Sequence, residues 1–148
     1  MSIQPIEILF FLLPSITGYG VASQCLTTEE AGACLADRRP PGYVFGIAWA
    51  ILYILLGISF VAAYRNNSNS IGLYLILLAT LSSWVVVYSC QGNKEAGIYV
   101  ILGAIALAIG CFMTGNFLSS ATIAPLIGWL LFALYLNIAD VNCEKGKK

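Results

Sequence analysis

The chain contains no histidine and very little charge, with only 9% of its residues Asp, Glu, Lys or Arg. Without imidazole there is no His-based zinc site and no Ser-His-Asp triad. Five cysteines (Cys25, Cys34, Cys90, Cys111 and Cys143) are scattered without Cys-x-x-Cys spacing, so no metal site is expected from thiolates either. A Gly-rich phosphate loop is missing. Seven basic residues balance seven acidic ones, and no basic patch invites nucleic acid. The apolar stretches carry no relay of carboxylates, which argues against an ion-coupled pump. No catalytic set emerges, and no cofactor is required by any motif.

What the chain has instead is apolar length. Hydrophobic residues make up 59% of it, and the mean hydropathy is +0.87. Five stretches, at roughly 8–22, 43–64, 71–90, 96–117 and 121–139, hold most of the sequence. A helix needs about 20 apolar residues at 1.5 Å each to cross a bilayer. The fourth stretch carries nine Leu, Ile, Phe or Val, worth roughly −3 to −5 kcal/mol of insertion free energy. The runs are continuous rather than alternating, which excludes a barrel. The expected fold is an all-α membrane protein: a five-transmembrane-helix bundle forming one domain over residues 1–148. The first run has no basic residues before it and no small-x-small cleavage site, so it is read as a span rather than a signal.

Charge sets an expected orientation. Arg38, Arg39, Lys94, Lys145, Lys147 and Lys148 fall on one face of a five-span chain, and Arg65 falls on the other. The positive-inside rule places the first loop and the C-terminus in the cytoplasm. Thiols stay reduced there, so Cys25 and Cys34 are expected free, with a 25–34 disulfide as the alternative in an oxidising compartment. The long first loop, 23–42, contains Thr27 and Thr28 as candidate caps of a short helix, stopped by Pro40 and Pro41. The other loops are tight, so helices 2–3, 3–4 and 4–5 are expected to pack in series, with helix 1 docked elsewhere. Gly103, Ala106 and Gly110 form a small-residue stripe, expected to be a seam within the monomer. Pro125 is expected near the first turn of helix 5, and Pro14 mid-span in helix 1. Residues 144–148 read as a disordered basic tail.

Aromatic residues are the suggestive pattern. Phe45, Trp49 and Tyr53 lie one turn apart on helix 2, as do Trp84 and Tyr88 on helix 3; Trp129 and Phe132 share helix 5. Belt residues sit near span ends, whereas Trp49 and Trp129 are about 10 Å inward. The plain alternative is core packing; the sharper one is an apolar ligand cavity. Asn137 needs an interior partner in lipid, while Asp140 is expected to be solvated near the basic end.

Two of these segments resemble a known family. The run PPGYVFGIAWAILYILLG is similar to the second-helix signature of the TspO/MBR family, carried by Pro40, Pro41, Phe45, Gly46, Trp49, Leu52, Tyr53 and Gly57. APLIGWLLFALYLN resembles the fifth-helix pattern through Pro125, Trp129, Phe132, Leu136 and Asn137. Pro14-Ser15 matches a pair in the first helix. The third-helix pattern survives only at Trp84 and Tyr88, and after Asn137 the chain departs from the family's sterol-recognition motif. The resemblance implies a five-helix bundle, often a homodimer, with a hydrophobic cavity lined by Trp49 and Trp129. It implies a flat apolar ligand: a porphyrin or related tetrapyrrole, a sterol or a benzodiazepine-like compound. It also leaves open light-dependent porphyrin breakdown, or a scaffold that modulates a transporter. In a eukaryotic cell it would imply the mitochondrial outer membrane.

Overall fold

The computed structural model describes residues 2–24, 42–66 and 68–146. The expectations for Cys25, Cys34, the Thr27/Thr28 helix, Pro40 and Pro41 fall outside them. Five helices are long and apolar enough to span a membrane, and no strand occurs among the described residues. They are α1 (Pro5–Ser23), α2 (Gly42–Asn66), α3 (Ile71–Val85), α4 (Lys94–Thr114) and α5 (Phe117–Gly146). The protein is an integral, multi-pass membrane protein. α3 continues as a π-helical turn over Val86–Cys90, and a short 3-10 turn at Ser68–Ser70 precedes it.

Local chemistry sets the ends. Pro5 occupies the first turn of α1, where its missing N–H costs nothing. The backbone N–H of Gln4 there donates to Glu7 Oε2 at 3.0 Å. Asn93 caps α4 by accepting from the Ala96 N–H at 3.1 Å. Gly92 just before it takes φ +66°, the left-handed value that a sharp reversal requires. Asn116 Oδ1 accepts from the Ser119 N–H at 2.9 Å and opens α5 at Phe117, four residues earlier than expected. Pro125 consequently sits well inside α5 rather than in its first turn. It leaves the Ala121 carbonyl without its helical donor.

Two of the three expected serial pairs form, α3–α4 and α4–α5, while α2–α3 is only slight. α1 packs on both α2 and α3; α2 packs chiefly on α1 and α5; α4 packs on α3 and α5. Around the bundle the order is therefore α1, α2, α5, α4, α3, with α1 between much of α2 and α3, which still meet directly at Ser59–Tyr74 and Trp49–Trp84. A short turn fixes direction, not adjacency of whole helix faces. The core lies between α2, α3, α4 and α5: Leu56 and Phe60, Leu77, Ile101 and Ala104, and Ile123 and Leu130 are all nearly or fully buried. Across it, Ser59 Oγ shares a 2.6 Å hydrogen bond with Tyr74 Oη and donates to the Ser119 carbonyl at 2.8 Å. That set joins three helices with buried hydroxyls satisfied, as an apolar interior demands.

Small residues permit the close contacts, but not those expected. On α4 the buried face is Ile101, Ala104, Ala108 and Cys111. Of the stripe Gly103, Ala106, Gly110, Ala106 is exposed, a Cβ at Gly110 would meet nothing, and one at Gly103 would only just reach Thr80 of α3, at 4.0 Å. The tight approach is at Gly57, where a Cβ would lie 2.4 Å from the Phe11 carbonyl oxygen. Backbone cannot yield there as a side chain can. Gly57→Ala should therefore lower stability by about 1–3 kcal/mol, as overpacking does. Gly110→Ala should be neutral or slightly stabilising. Thermal unfolding in detergent checks both, and equal midpoints would remove the α1–α2 contact from the account.

Candidate functional site

α2 presents Phe45, Trp49 and Tyr53 on one face, and α1 and α3 approach that face from one side while α5 approaches from the other. The result is one connected aromatic cluster. Trp49 meets Tyr53 at 5.3 Å between ring centroids, Trp84 at 6.5 Å and Trp129 at 6.4 Å. Phe45 lies edge-on to Trp129 at 5.6 Å, and Phe132 is 5.4 Å from Trp129. Trp84 and Tyr88 stack at 5.1 Å with only 17° between planes. The seven aromatic residues proposed from the sequence for the site are all in this cluster, whereas Tyr135, close to Trp129 and Phe132 in sequence, is exposed.

The open space lies on one side of it. A cavity of about 510 Å³ opens between α1, α2 and α3. Phe45, Gly46, Trp49 and Tyr53 form one wall, and Trp84, Val85, Tyr88 and Ser89 form another. Gly18, Tyr19, Ala22 and Ser23 of α1 close the third. Trp129 and Phe132 do not line this space; they back Trp49 from the α5 side. Trp49 and Trp129 thus touch edge to face, at an 85° interplanar angle, rather than facing each other across a hollow. No aromatic periodicity marks the α1 contribution in the sequence. Its signal is Gly18, over which the Tyr53 ring lies so closely that a Cβ would come within 2.1 Å of it.

The π-helical turn shapes the α3 wall. An extra residue per turn re-aims the side chains of Val86–Cys90, and such turns recur at functional sites. Tyr88 and Ser89 face the cavity from within it. Below them runs a polar layer. Asn137 is fully buried. It accepts from Trp84 Nε1 at 3.1 Å and donates from Nδ2 to the Lys94 carbonyl at 2.7 Å. The amide therefore ties α5 to both α3 and α4 and holds Trp84 by its polar edge. Gly97 makes room for it, since a Cβ there would lie 2.9 Å from Asn137 Oδ1.

One turn further, Asp140 is fully buried and accepts from the Tyr88 hydroxyl, where the sequence suggested a solvated residue. The reason is helix length. α5 runs on to Gly146, and the face that carries Asn137 also carries Asp140 inward. The expected disordered tail is, through Gly146, the last turn of α5; Lys147 and Lys148 lie outside the described residues. Glu144 pairs there with Lys94, and Lys145 with Glu95 at 2.7 Å. Among the described residues, the cavity wall contains no acidic or basic side chain and no cluster of metal-ligating side chains occurs.

Two cysteines at this end are oxidised. Cys90, beside Ser89 in the π-turn, and Cys143, in the last turns of α5, are each part of a disulfide. Cys111 is a buried free thiol in the core. In denaturant without reductant, alkylation should modify Cys111 and leave Cys90 and Cys143 untouched until reductant is added; peptide mass mapping reads this directly. A second expectation concerns Asn137. Asn137→Leu leaves the Trp84 N–H without its acceptor, at about 1–3 kcal/mol, and removes the side-chain donor to the Lys94 carbonyl, which keeps its helical one. Unfolding in detergent should show a clear loss, and a fold as stable as the native one would mean that the amide does not bridge the helices.

Comparison with known proteins agrees with this arrangement. Residues 10–140 match the TspO/MBR family. The chain is 30% identical over 142 residues to the tryptophan-rich protein TspO of Archaeoglobus fulgidus, covering 90% of this chain and 91% of that protein. It is 26% identical over 119 residues to protein CrtK of Rhodobacter capsulatus, covering 74% of each. It is 25% identical over 111 residues to the translocator protein homolog of Schizosaccharomyces pombe, covering 68% of each. A five-helix membrane bundle with tryptophans gathered beside one cavity, and a family match across nearly its whole length, make this chain a member of the TspO/MBR family.

Proposed function

We propose that this protein is a membrane receptor for a flat hydrophobic ligand of the tetrapyrrole class, held in the cavity between α1, α2 and α3. Family membership supports the coarser statement, a membrane sensing or binding protein of the translocator class. The ligand class rests on one observation: Trp49 and Trp84 line the same space with their planes only 35° apart. Two neighbouring indoles tilted by 35° offer an extended apolar wall to a planar ring system, and Tyr53 and Tyr88 prolong it. The volume suits a cofactor-sized ligand. With no charged residue among the described lining residues, ionised substituents of such a ligand would project past Ser23 and Ser89. Stacking needs no metal ligand, which fits a chain without histidine.

Contiguity favours a second reading, light-driven breakdown of the bound porphyrin. Trp129, Trp49, Trp84 and Tyr88 form an unbroken line of rings, and the Tyr88 hydroxyl donates a hydrogen bond to Asp140. Illumination with product formation would separate this from binding alone.

The roles of the tryptophans are separable. Titrating the detergent-purified protein with protoporphyrin and following its Soret absorption should give saturable binding. Trp49→Leu together with Trp84→Leu should weaken it roughly 30-fold, from about 1 kcal/mol per lost stacking ring. Trp129→Phe, which acts only from behind Trp49, should change it less than about threefold. Unchanged affinity in the double variant would place the ligand elsewhere.

A further inference from the structure

At the opposite end of the bundle from the aromatic cavity, a second concavity faces the bilayer. It has a volume of about 590 Å³ and lies between the start of α1 and the end of α2, with Leu118 of α5 also lining it. Its wall is almost wholly apolar and includes Phe11, Leu12 and Ile58. The exception is one ion pair at its rim. Arg65 donates to both oxygens of Glu7, from Nε at 2.5 Å and from an Nη at 3.0 Å. The two partners are unequally covered: the Glu7 side chain is 7% exposed and that of Arg65 is 44% exposed. The carboxylate is thus tucked behind, and the pair turns its cationic end outward.

We propose that this groove seats a phospholipid of the adjacent leaflet, with its phosphate on Arg65 and one hydrocarbon chain between α1 and α2. Three features choose this occupant. Charge is complementary, because a guanidinium fork matches the geometry of a phosphate and sits at the last turn of α2, at headgroup depth. Length fits as well: from Arg65 along α2 the wall reaches Ile58, about 10 Å at helical rise and within the roughly 15 Å hydrocarbon depth of one leaflet. The placement of charge is selective, because the polar group is at the outer rim and the wall below it is hydrocarbon. A lipid without phosphate fills the groove but adds no anionic oxygen to the outward side of the ion pair. The seat is separate from the aromatic cavity and does not depend on what that cavity binds.

Native mass spectrometry of the full chain in mild detergent tests this, with dioleoylphosphatidylcholine and dioleoylglycerol offered in equal amounts. The two probes carry the same chains and differ by the phosphate headgroup. The native chain should keep one phosphatidylcholine with about tenfold preference. Glu7→Gln with Arg65→Gln, which removes the pair without stranding a charge, should bring that preference to about one while dioleoylglycerol retention stays. Ile58→Trp should fill the groove and strip both lipids. Thermal unfolding confirms that each variant is folded; if Ile58→Trp is not, the headgroup preference of the double variant still decides. Equal retention of both lipids by the native chain would reduce the groove to ordinary annular contact. A native dimer that Ile58→Trp splits would hand the groove to a second copy of the chain. Either result overturns the proposal, as does a double variant that still prefers phosphatidylcholine.

Discussion

Two helix backbones come within van der Waals reach only where no side chain stands between them, and in this protein that happens where α1 meets Gly57 of α2. In lipid there is little hydrophobic drive to bring helices together, so such close packing carries much of the association. Here it does more than hold α1 in place. By drawing α1 against α2, it inserts the first helix where α2 would otherwise lie along α3. The gap left beside Gly18 and Ala22 is the third wall of the aromatic cavity. A bundle packed in chain order would have shut that space with direct α2–α3 contact.

The opposite flank is held by hydrogen bonds. Asn137 answers both the Trp84 indole and the Lys94 carbonyl, so the ring that lines the cavity is fixed by a residue that never touches it. Tyr88, the next ring along, is held in the same way by Asp140. Polar groups in a membrane interior are costly alone and directional when paired. Two adjacent aromatic rings, each held by its polar edge, give the α3 wall a defined orientation that apolar packing alone would leave looser.

The sequence reveals the parts better than their arrangement. Five spans are legible because lipid imposes length and apolarity directly on composition. Phe45, Trp49, Tyr53, Trp84, Tyr88, Trp129, Phe132 and Asn137 stand out because a helix repeats on itself every turn. The order of helices around the bundle is not legible, since it depends on which small residue meets which backbone: Gly57 does so, while Gly103 and Gly110 do not. Trp129 reads as an equal wall of the cavity because depth in a helix says nothing about azimuth around it. Asp140 reads as solvated because the apolar run that marks α5 stops before the helix does. The disulfides at Cys90 and Cys143 escape for a different reason. Basic residues bear on the moment of insertion, whereas thiol oxidation depends on the compartment met afterwards, so the two signals can oppose each other at one end of a bundle.

All three tryptophans of the chain belong to a single cluster, each within 6.5 Å of another between ring centroids. Their emission is therefore not the sum of three independent lamps. Excitation absorbed by one indole can pass to its neighbours before it is emitted, and whichever ring has the lowest-energy surroundings sets the colour of the whole. The ultraviolet glow of this protein is in effect a local gauge of one patch of wall, reporting on the cavity and almost nothing else.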